Sequence, residues 1–395
     1  MAQRVMAKAN PELLRWARET RGFPLDLAAA SLDIDKDLLA QVERGEAQLT
    51  FAKLRKAADV YKRPLAVFFL PHPPEAKPRV TDFRRLPEAV DHPYSPALLL
   101  QMRRLSHKRS VAMRLREFAR ATDCGFVGSV ELNSDPEAVS LRVREILKLP
   151  VEASARWRES YARLSGWRNA LESAGILVFV VQRVSVSEMR GMSIAEAPFP
   201  LIAVNRADSP GARLFSLLHE FGHVLLGRSS LCDDGDEMDW RNNDEAKRVE
   251  IFCNALSAAV LMPRAMVLTK ADQVRPDRQV RWSEAMLREL ADGFGVSSEA
   301  MLRRLRDLSL ARLDEYEMFR RMWQARPAPS PSAGNDDEER NFGEYGHDRV
   351  LRTQGKNYVR LVLEALHGEA ITAGDAADFL DMKLGHLAAL EEHAS

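Results

Sequence analysis

Two histidines and a glutamate stand within one helical turn near the middle of the chain, as His219-Glu220-Phe221-Gly222-His223 inside LFSLLHEFGHVLLG. On a helix, side chains at i and i+4 share a face, with Cβ atoms about 5–6 Å apart. Both imidazoles can then reach one Zn²⁺, and the carboxylate between them is placed to act as general base on a water. The helix itself is well signalled. Leu214, Leu217, Leu218, Phe221, Leu225 and Leu226 recur at helical spacing, and Gly227 stands where a left-handed glycine ends a helix.

A catalytic zinc takes three protein ligands and keeps one position open. The third ligand is expected on RVEIFCNALSAAVLMP, residues 248–263, which reads as a second helix stopped by Pro263. Glu250 and Asn254 are spaced i, i+4 and therefore share a face of that otherwise apolar helix. Two His and one Glu form a standard zinc set. Asn254 is placed to accept the outer N–H of a ligating imidazole, the bond that fixes its tautomer. Taken singly, Glu250 reads as a solvated carboxylate and Asn254 as an exposed amide; downstream of a complete H-E-x-x-H the pair reads as ligand and orienting partner. Zn²⁺ is thus the expected cofactor, held by His219, His223 and Glu250, with Glu220 as catalytic base. Cys232 and Cys253 flank this region as possible ligands, but neither has ligand spacing to a second Cys.

These residues sit in a chain of 395 residues, long enough for two or three domains. Lys+Arg and Asp+Glu both number 57, so no global basic excess drives nucleic-acid or membrane binding. The three cysteines, Cys124, Cys232 and Cys253, are odd in number and widely spaced, which points to a reducing compartment. The N-terminus lacks an apolar signal core, and no window holds 18 uncharged apolar residues. A cytoplasmic protein with no membrane partner is expected.

The elements around the motif predict a mainly helical α+β fold. Residues 1–72 read as a bundle of short helices: Pro11–Thr20, Leu25–Ser31, Asp35–Arg44 ended by Gly45, and Phe51–Tyr61 capped by Thr50. This layout resembles the helix-turn-helix domain of Cro/repressor-type (XRE) regulators, with LDLAAASLDIDKDLLAQVERGE over the central helices. In such folds the start of the second of these helices meets base edges. That places Lys36 and Gln41 as candidate contacts to double-stranded DNA, against Asp33, Asp35 and Asp37, which cap a helix well and repel phosphate. A protein-docking module is the alternative. Residues 73–133 read as a Pro-rich connector and a long basic helix, Pro96–Thr122. Residues 134–325 hold the zinc domain, with a helix opening near Ser134-Asp135-Pro136 and another over Trp167–Ala174. Three short strands follow (Ile176–Val181, Met192–Ala195, Leu201–Asn205), then the zinc helix, an acidic loop Cys232–Glu245 and the ligand helix. Two helices over Ser283–Leu305 surround Gly293–Ser297. PAPSPSAGNDDEE marks a linker at 326–341, and 342–395 a C-terminal helical module with Tyr358–Leu366 and Ala373–Phe379.

The chain resembles the ImmA/IrrE metallopeptidases, in the subgroup with an N-terminal Cro/repressor-type helix-turn-helix. The resemblance is carried by LFSLLHEFGHVLLG, VEIFCNALSAAVLMP and PLIAVN, supported by YKRPLAVFFLP and TDFRRLP. It implies a gluzincin-like site with His219, His223 and Glu250 as ligands and Glu220 as base. It also implies cytosolic cleavage of a partner protein, often a repressor, in a stress or mobile-element response. Two other readings stand beside it: a DNA-binding transcription regulator whose zinc domain is a sensor, and a docking protein without activity. The enzyme reading is favoured because a structural zinc would be closed by a fourth ligand and would not need Glu220. A homodimer is a possible DNA-bound form. The Leu201–Asn205 strand is the expected grip for an extended substrate by strand addition. Arg213 and Tyr345 are candidates for transition-state stabilisation.

Overall fold

The computed structural model describes residues 5–74, 94–118, 124–154, 156–157, 159–232, 244–324 and 346–394. They group into two compact units, one holding described residues up to Ser106 and the other those from His107 onward. Among the described residues no single helix is long and apolar enough to cross a membrane.

In the first unit each helix begins and ends on a local signal. α1 (Pro11–Glu19) starts with Pro11 in its first turn, and the Asn10 side chain accepts from Glu12 N–H. α2 (Leu25–Leu32) ends on Asp33 in the left-handed region, φ 50°. The Asp35 carboxylate then caps α3 (Lys36–Arg44), which closes on Gly45 at φ 82°. Thr50 caps α4 (Phe51–Tyr61) as its position predicts, and the apolar segment after it forms a 3₁₀ turn, Leu65–Phe69. Leu13, Leu32, Leu39, Leu54, Tyr61 and Phe68 are fully buried together. A buried ion pair, Arg18 Nε to Glu43 Oε1 at 2.7 Å, ties α1 to α3. The long helix α5 (Pro96–Arg114), which carries the boundary between the units after Ser106, stops eight residues before the expected Thr122, and a 3₁₀ turn Arg116–Phe118 of the second unit follows it.

In the second unit, α6 (Pro136–Ile146) opens within the expected Ser134-Asp135-Pro136 stretch, with Asp135 as its cap. The helix expected at Trp167–Ala174 is longer, α7 (Ser160–Ser173), and leads through Gly175 at φ 96° into β1 (Leu177–Val181). β2 (Gly191–Ile194) and β3 (Leu201–Asn205) follow, then α8 (Pro210–Leu225), β4 (Ser230–Cys232) and α9 (Asp244–Leu261). The sheet has four strands in the order β1-β3-β2-β4, not three. β1 and β3 are parallel, with Leu177 opposite Leu201; β2 runs antiparallel to both β3 and β4. The extra strand is three residues long, too short to show any alternation. This order also corrects the expected substrate grip. β3 is hydrogen-bonded on both sides and cannot accept another strand, whereas β4 lies at the sheet edge.

Two glycines let backbone segments meet at the end of α8. Gly227, at φ 67°, terminates the helix, and Gly128, at φ 66°, faces it across a gap that a Cβ on Gly227 would narrow to 3.0 Å. The loop carrying Gly128 then donates Gly128 N–H to Val224 O and Val130 N–H to Leu225 O, satisfying the last carbonyls of α8. At the end of α9 two buried guanidiniums do the same work: Arg144 donates to Val260 O and Arg304 to Met262 O. Cations there also oppose the negative pole of the helix. Beyond it lie α10 (Arg264–Val274), α11 (Glu284–Phe294), α12 (Ser298–Asp307) and α13 (Leu313–Gln324), α11 ending on Gly295 at φ 69°. The C-terminal helices are α14 (Gly346–Gln354), α15 (Lys356–His367), α16 (Ala373–Phe379) and α17 (Leu387–Ala394). They pack on the sheet side of this unit: Glu172 of α7 accepts from Lys356 N–H, and the Phe179 ring meets that of Tyr358 edge-on at 5.4 Å. The linker at 326–341 and most of the acidic loop after Cys232 lie outside the described residues.

Candidate metal centre

α8 is capped and buried by its own sequence. Ser209 caps it by accepting from Ala212 N–H, Pro210 fits its first turn, and Leu214, Leu217, Leu218, Phe221, Val224 and Leu225 are all in the core. α9 crosses it closely because Gly222 has no side chain. A Cβ there would lie 3.0 Å from Cys253 Sγ and 3.4 Å from Cys253 Cα. The glycine therefore sets how near Glu250, one turn before Cys253, comes to the two histidines.

The donor atoms converge. His219 Nε2 and His223 Nε2 are 3.1 Å apart. Glu250 Oε2 lies 3.0 Å from the first and Oε1 3.2 Å from the second. Ligands about 2.0–2.1 Å from a tetrahedral zinc are separated by roughly 3.3 Å, so this spacing suits such an ion. Among the described residues these three form the one His/Cys/Asp/Glu group of this kind. Asn254, expected beside a histidine of the motif, meets one: its Oδ1 accepts from His219 Nδ1 at 3.0 Å, which leaves Nε2 facing His223 and Glu250. Burial works against charge here. It would lower the His219 pKa, yet the carboxylates of Glu250 and Glu220 and the Asn254 amide hold it above its ordinary value. Burial likewise opposes ionisation of Glu250, and the two imidazoles outweigh it, holding the carboxyl well below the usual range.

Glu220 is completely buried, and its two oxygens differ. Oε2 accepts a short hydrogen bond from the Ser230 hydroxyl, which in turn lies 2.8 Å from Ser193 Oγ. Among the described residues Oε1 has no hydrogen-bond partner. A buried carboxylate oxygen left without a donor is costly, and it is the natural seat of a water or substrate proton at a working site. Gly191 shapes this pocket: a Cβ there would fall 2.5 Å from Oε1 and 2.9 Å from Cγ of Glu220. Gly191, Ser193 and Ser230 escape sequence reasoning. A glycine opening a strand is the only local hint, since the serines reach Glu220 only through strand pairing.

The other predicted residues lie elsewhere. Arg213 projects from the start of α8, its guanidinium 5.7 Å from the centre of the Tyr161 ring, and lines a separate cavity. Tyr345 and the Cys232 side chain fall outside the described residues. Cys253 is buried beside the cluster, and burial keeps its thiol pKa well above the ordinary value, so it is a packing group and a poor ligand. Lys36 and Gln41 are both exposed on α3 of the first unit, beside the capping Asp35.

Fold and site together describe a helical domain with a small sheet in which two helices carry a His/His/Glu cluster. Residues 172–306 match the family of the IrrE N-terminal-like domain, Peptidase M78, and this stretch includes all three cluster residues. The chain is also 30% identical over 103 residues to the radiation response metalloprotease IrrE of Deinococcus radiodurans. That similarity covers 26% of this chain and 29% of the relative, so the chain spans under a third of the relative's length.

Proposed function

We propose that this chain is a zinc-dependent endopeptidase fused to a helix-turn-helix domain, cleaving a repressor or other regulatory protein in the cytoplasm. The observation that carries the reading is the pairing of a convergent His219/His223/Glu250 set with a buried carboxylate, Glu220, whose Oε1 has no partner among the described residues. A structural site would have no use for that oxygen.

In this reading His219, His223 and Glu250 hold the ion, and Asn254 fixes the first imidazole. Bound zinc supplies a Lewis acid that polarises a peptide carbonyl and lowers the pKa of water toward 7. Glu220 takes the proton from the attacking water at Oε1 and returns it to the leaving amine. Ser230, backed by Ser193, donates to Oε2 and keeps Oε1 turned toward the reacting atoms. Gly191 keeps the space in front of that oxygen clear. The strand β4 begins at Ser230 and is paired, among the described residues, with β2 alone, so its other edge would take an extended substrate.

For the first unit, α2 and α3 form the proposed helix-turn-helix. Lys36 and Gln41 would face base edges in the major groove, with a homodimer spanning two half-sites. The capping aspartates beside them limit affinity by repulsion.

The test is incubation of zinc-loaded protein with repressors encoded beside its gene, read by mass, next to Glu220→Gln. That variant keeps shape and ligands and removes the base. Cleavage should fall at least about a hundredfold; equal cleavage by both proteins refutes the mechanism.

A further inference from the structure

The second unit contains a cavity of about 120 Å³ whose lining includes five arginines: Arg168, Arg206, Arg213, Arg349 and Arg352. No carboxylate lines it among the described residues. In a chain with equal numbers of acidic and basic residues, such a concentration is not a by-product of composition. The arginines come from widely separated places: α7, the end of β3, the start of α8, and α14 near the C-terminus. Guanidiniums stay charged at any physiological pH, so the lining is cationic whatever the solution conditions.

Their placement gives the cavity an inner and an outer end. Arg213 is buried, only 5% exposed. Arg168 is fixed as a brace: it donates to Glu172, to Val178 O and to the backbone carbonyl of Arg352. Arg206, Arg349 and Arg352 are exposed at the mouth. Thr353 adds a hydroxyl, while Val178, Val204 and Leu217 supply an apolar wall.

We infer that this cavity is a binding site for a compact organic dianion, a phosphate monoester or a dicarboxylate, separate from the metal cluster. Guanidinium forks match phosphate and carboxylate oxygens two at a time, and the valine and leucine wall takes a short carbon body. The cavity volume suits a small occupant. A cavity of roughly 150 Å³ accepts a benzene molecule, so this one has room for a molecule of a few carbons with its anionic groups. An occupant would tie α14 to the N-terminal half of α8, two residues from His219 at Leu217. Binding stands apart from the peptidase reading; it requires only the arginines.

The experiment is calorimetric titration of the full-length, zinc-loaded protein with inorganic phosphate, glycerol 3-phosphate and succinate at constant ionic strength, with melting temperature measured alongside. Saturable binding and a raised melting temperature are expected for at least one probe, and the probe that binds tells phosphate from carboxylate. The Arg349→Ala/Arg352→Ala double variant changes two exposed residues and should weaken that binding at least about tenfold, since each charge-assisted bond lost accounts for that much. Arg206→Ala, from a different element, should weaken it too. Zinc and phosphate can associate directly, but that binding would persist in all the variants. Affinity unchanged in the double variant and in Arg206→Ala, or no saturable binding by any probe, overturns the assignment.

Discussion

Gly191→Ala perturbs the proposed base without altering its chemistry or any ligand. The added methyl would lie 2.5 Å from Glu220 Oε1, against an ordinary contact of 3.4 Å or more, so the carboxylate must retreat by about 3.4 − 2.5 = 0.9 Å. Retreat strains the bond from Ser230, and β2 cannot yield because it is paired on both sides and fully buried. Misplacing a catalytic group by about 1 Å costs on the order of a hundredfold in rate. Overpacking costs about 1–3 kcal/mol of stability, partly offset by the roughly 0.5–1 kcal/mol that Ala gains over Gly in a regular element. The assay is cleavage by mass at a temperature where circular dichroism shows the variant folded, together with its zinc content. We expect full zinc and cleavage reduced about a hundredfold. A folded, zinc-loaded Gly191→Ala that cleaves like the parent would refute the idea that β2 sets the position of Glu220.

Asn254→Ala removes the acceptor for His219 Nδ1 and should weaken zinc binding about 10–100-fold in a chelator competition, with cleavage at saturating zinc much less affected. Gly222→Ala pushes a methyl to 3.0 Å from Cys253 Sγ and should lower stability by about 1–3 kcal/mol in urea unfolding. An unchanged midpoint would mean that α8 and α9 separate freely. Lys36→Ala with Gln41→Ala should abolish sequence-specific retention of the protein's own promoter in a low-salt gel shift; if the parent retains none, the first unit docks a protein instead.

Much of the fold was legible where local chemistry decides it. Thr50, Gly45 and Gly227 each mark a helix boundary that the structure keeps, because caps and left-handed glycines act within a few residues. The cluster was legible for the same reason: His219/His223 and Glu250/Asn254 are each one turn apart on a helix. What escaped depends on long-range pairing. β3 looked like an available strand, yet β1 and β2 flank it, and nothing within five residues reveals its neighbours. β4 is too short to show a pattern, although it delivers Ser230 to Glu220. The arginine cavity assembles residues almost two hundred positions apart, from Arg168 to Arg352, so no window of sequence contains it.

If His219, His223 and Glu250 hold one zinc and Glu220 does not, elemental analysis of purified parent, His223→Ala, Glu250→Ala and Glu220→Gln proteins should find about one zinc per chain in the parent and in Glu220→Gln, and little or none in the other two. Full zinc occupancy in both His223→Ala and Glu250→Ala would contradict it, because the ion would then lie elsewhere.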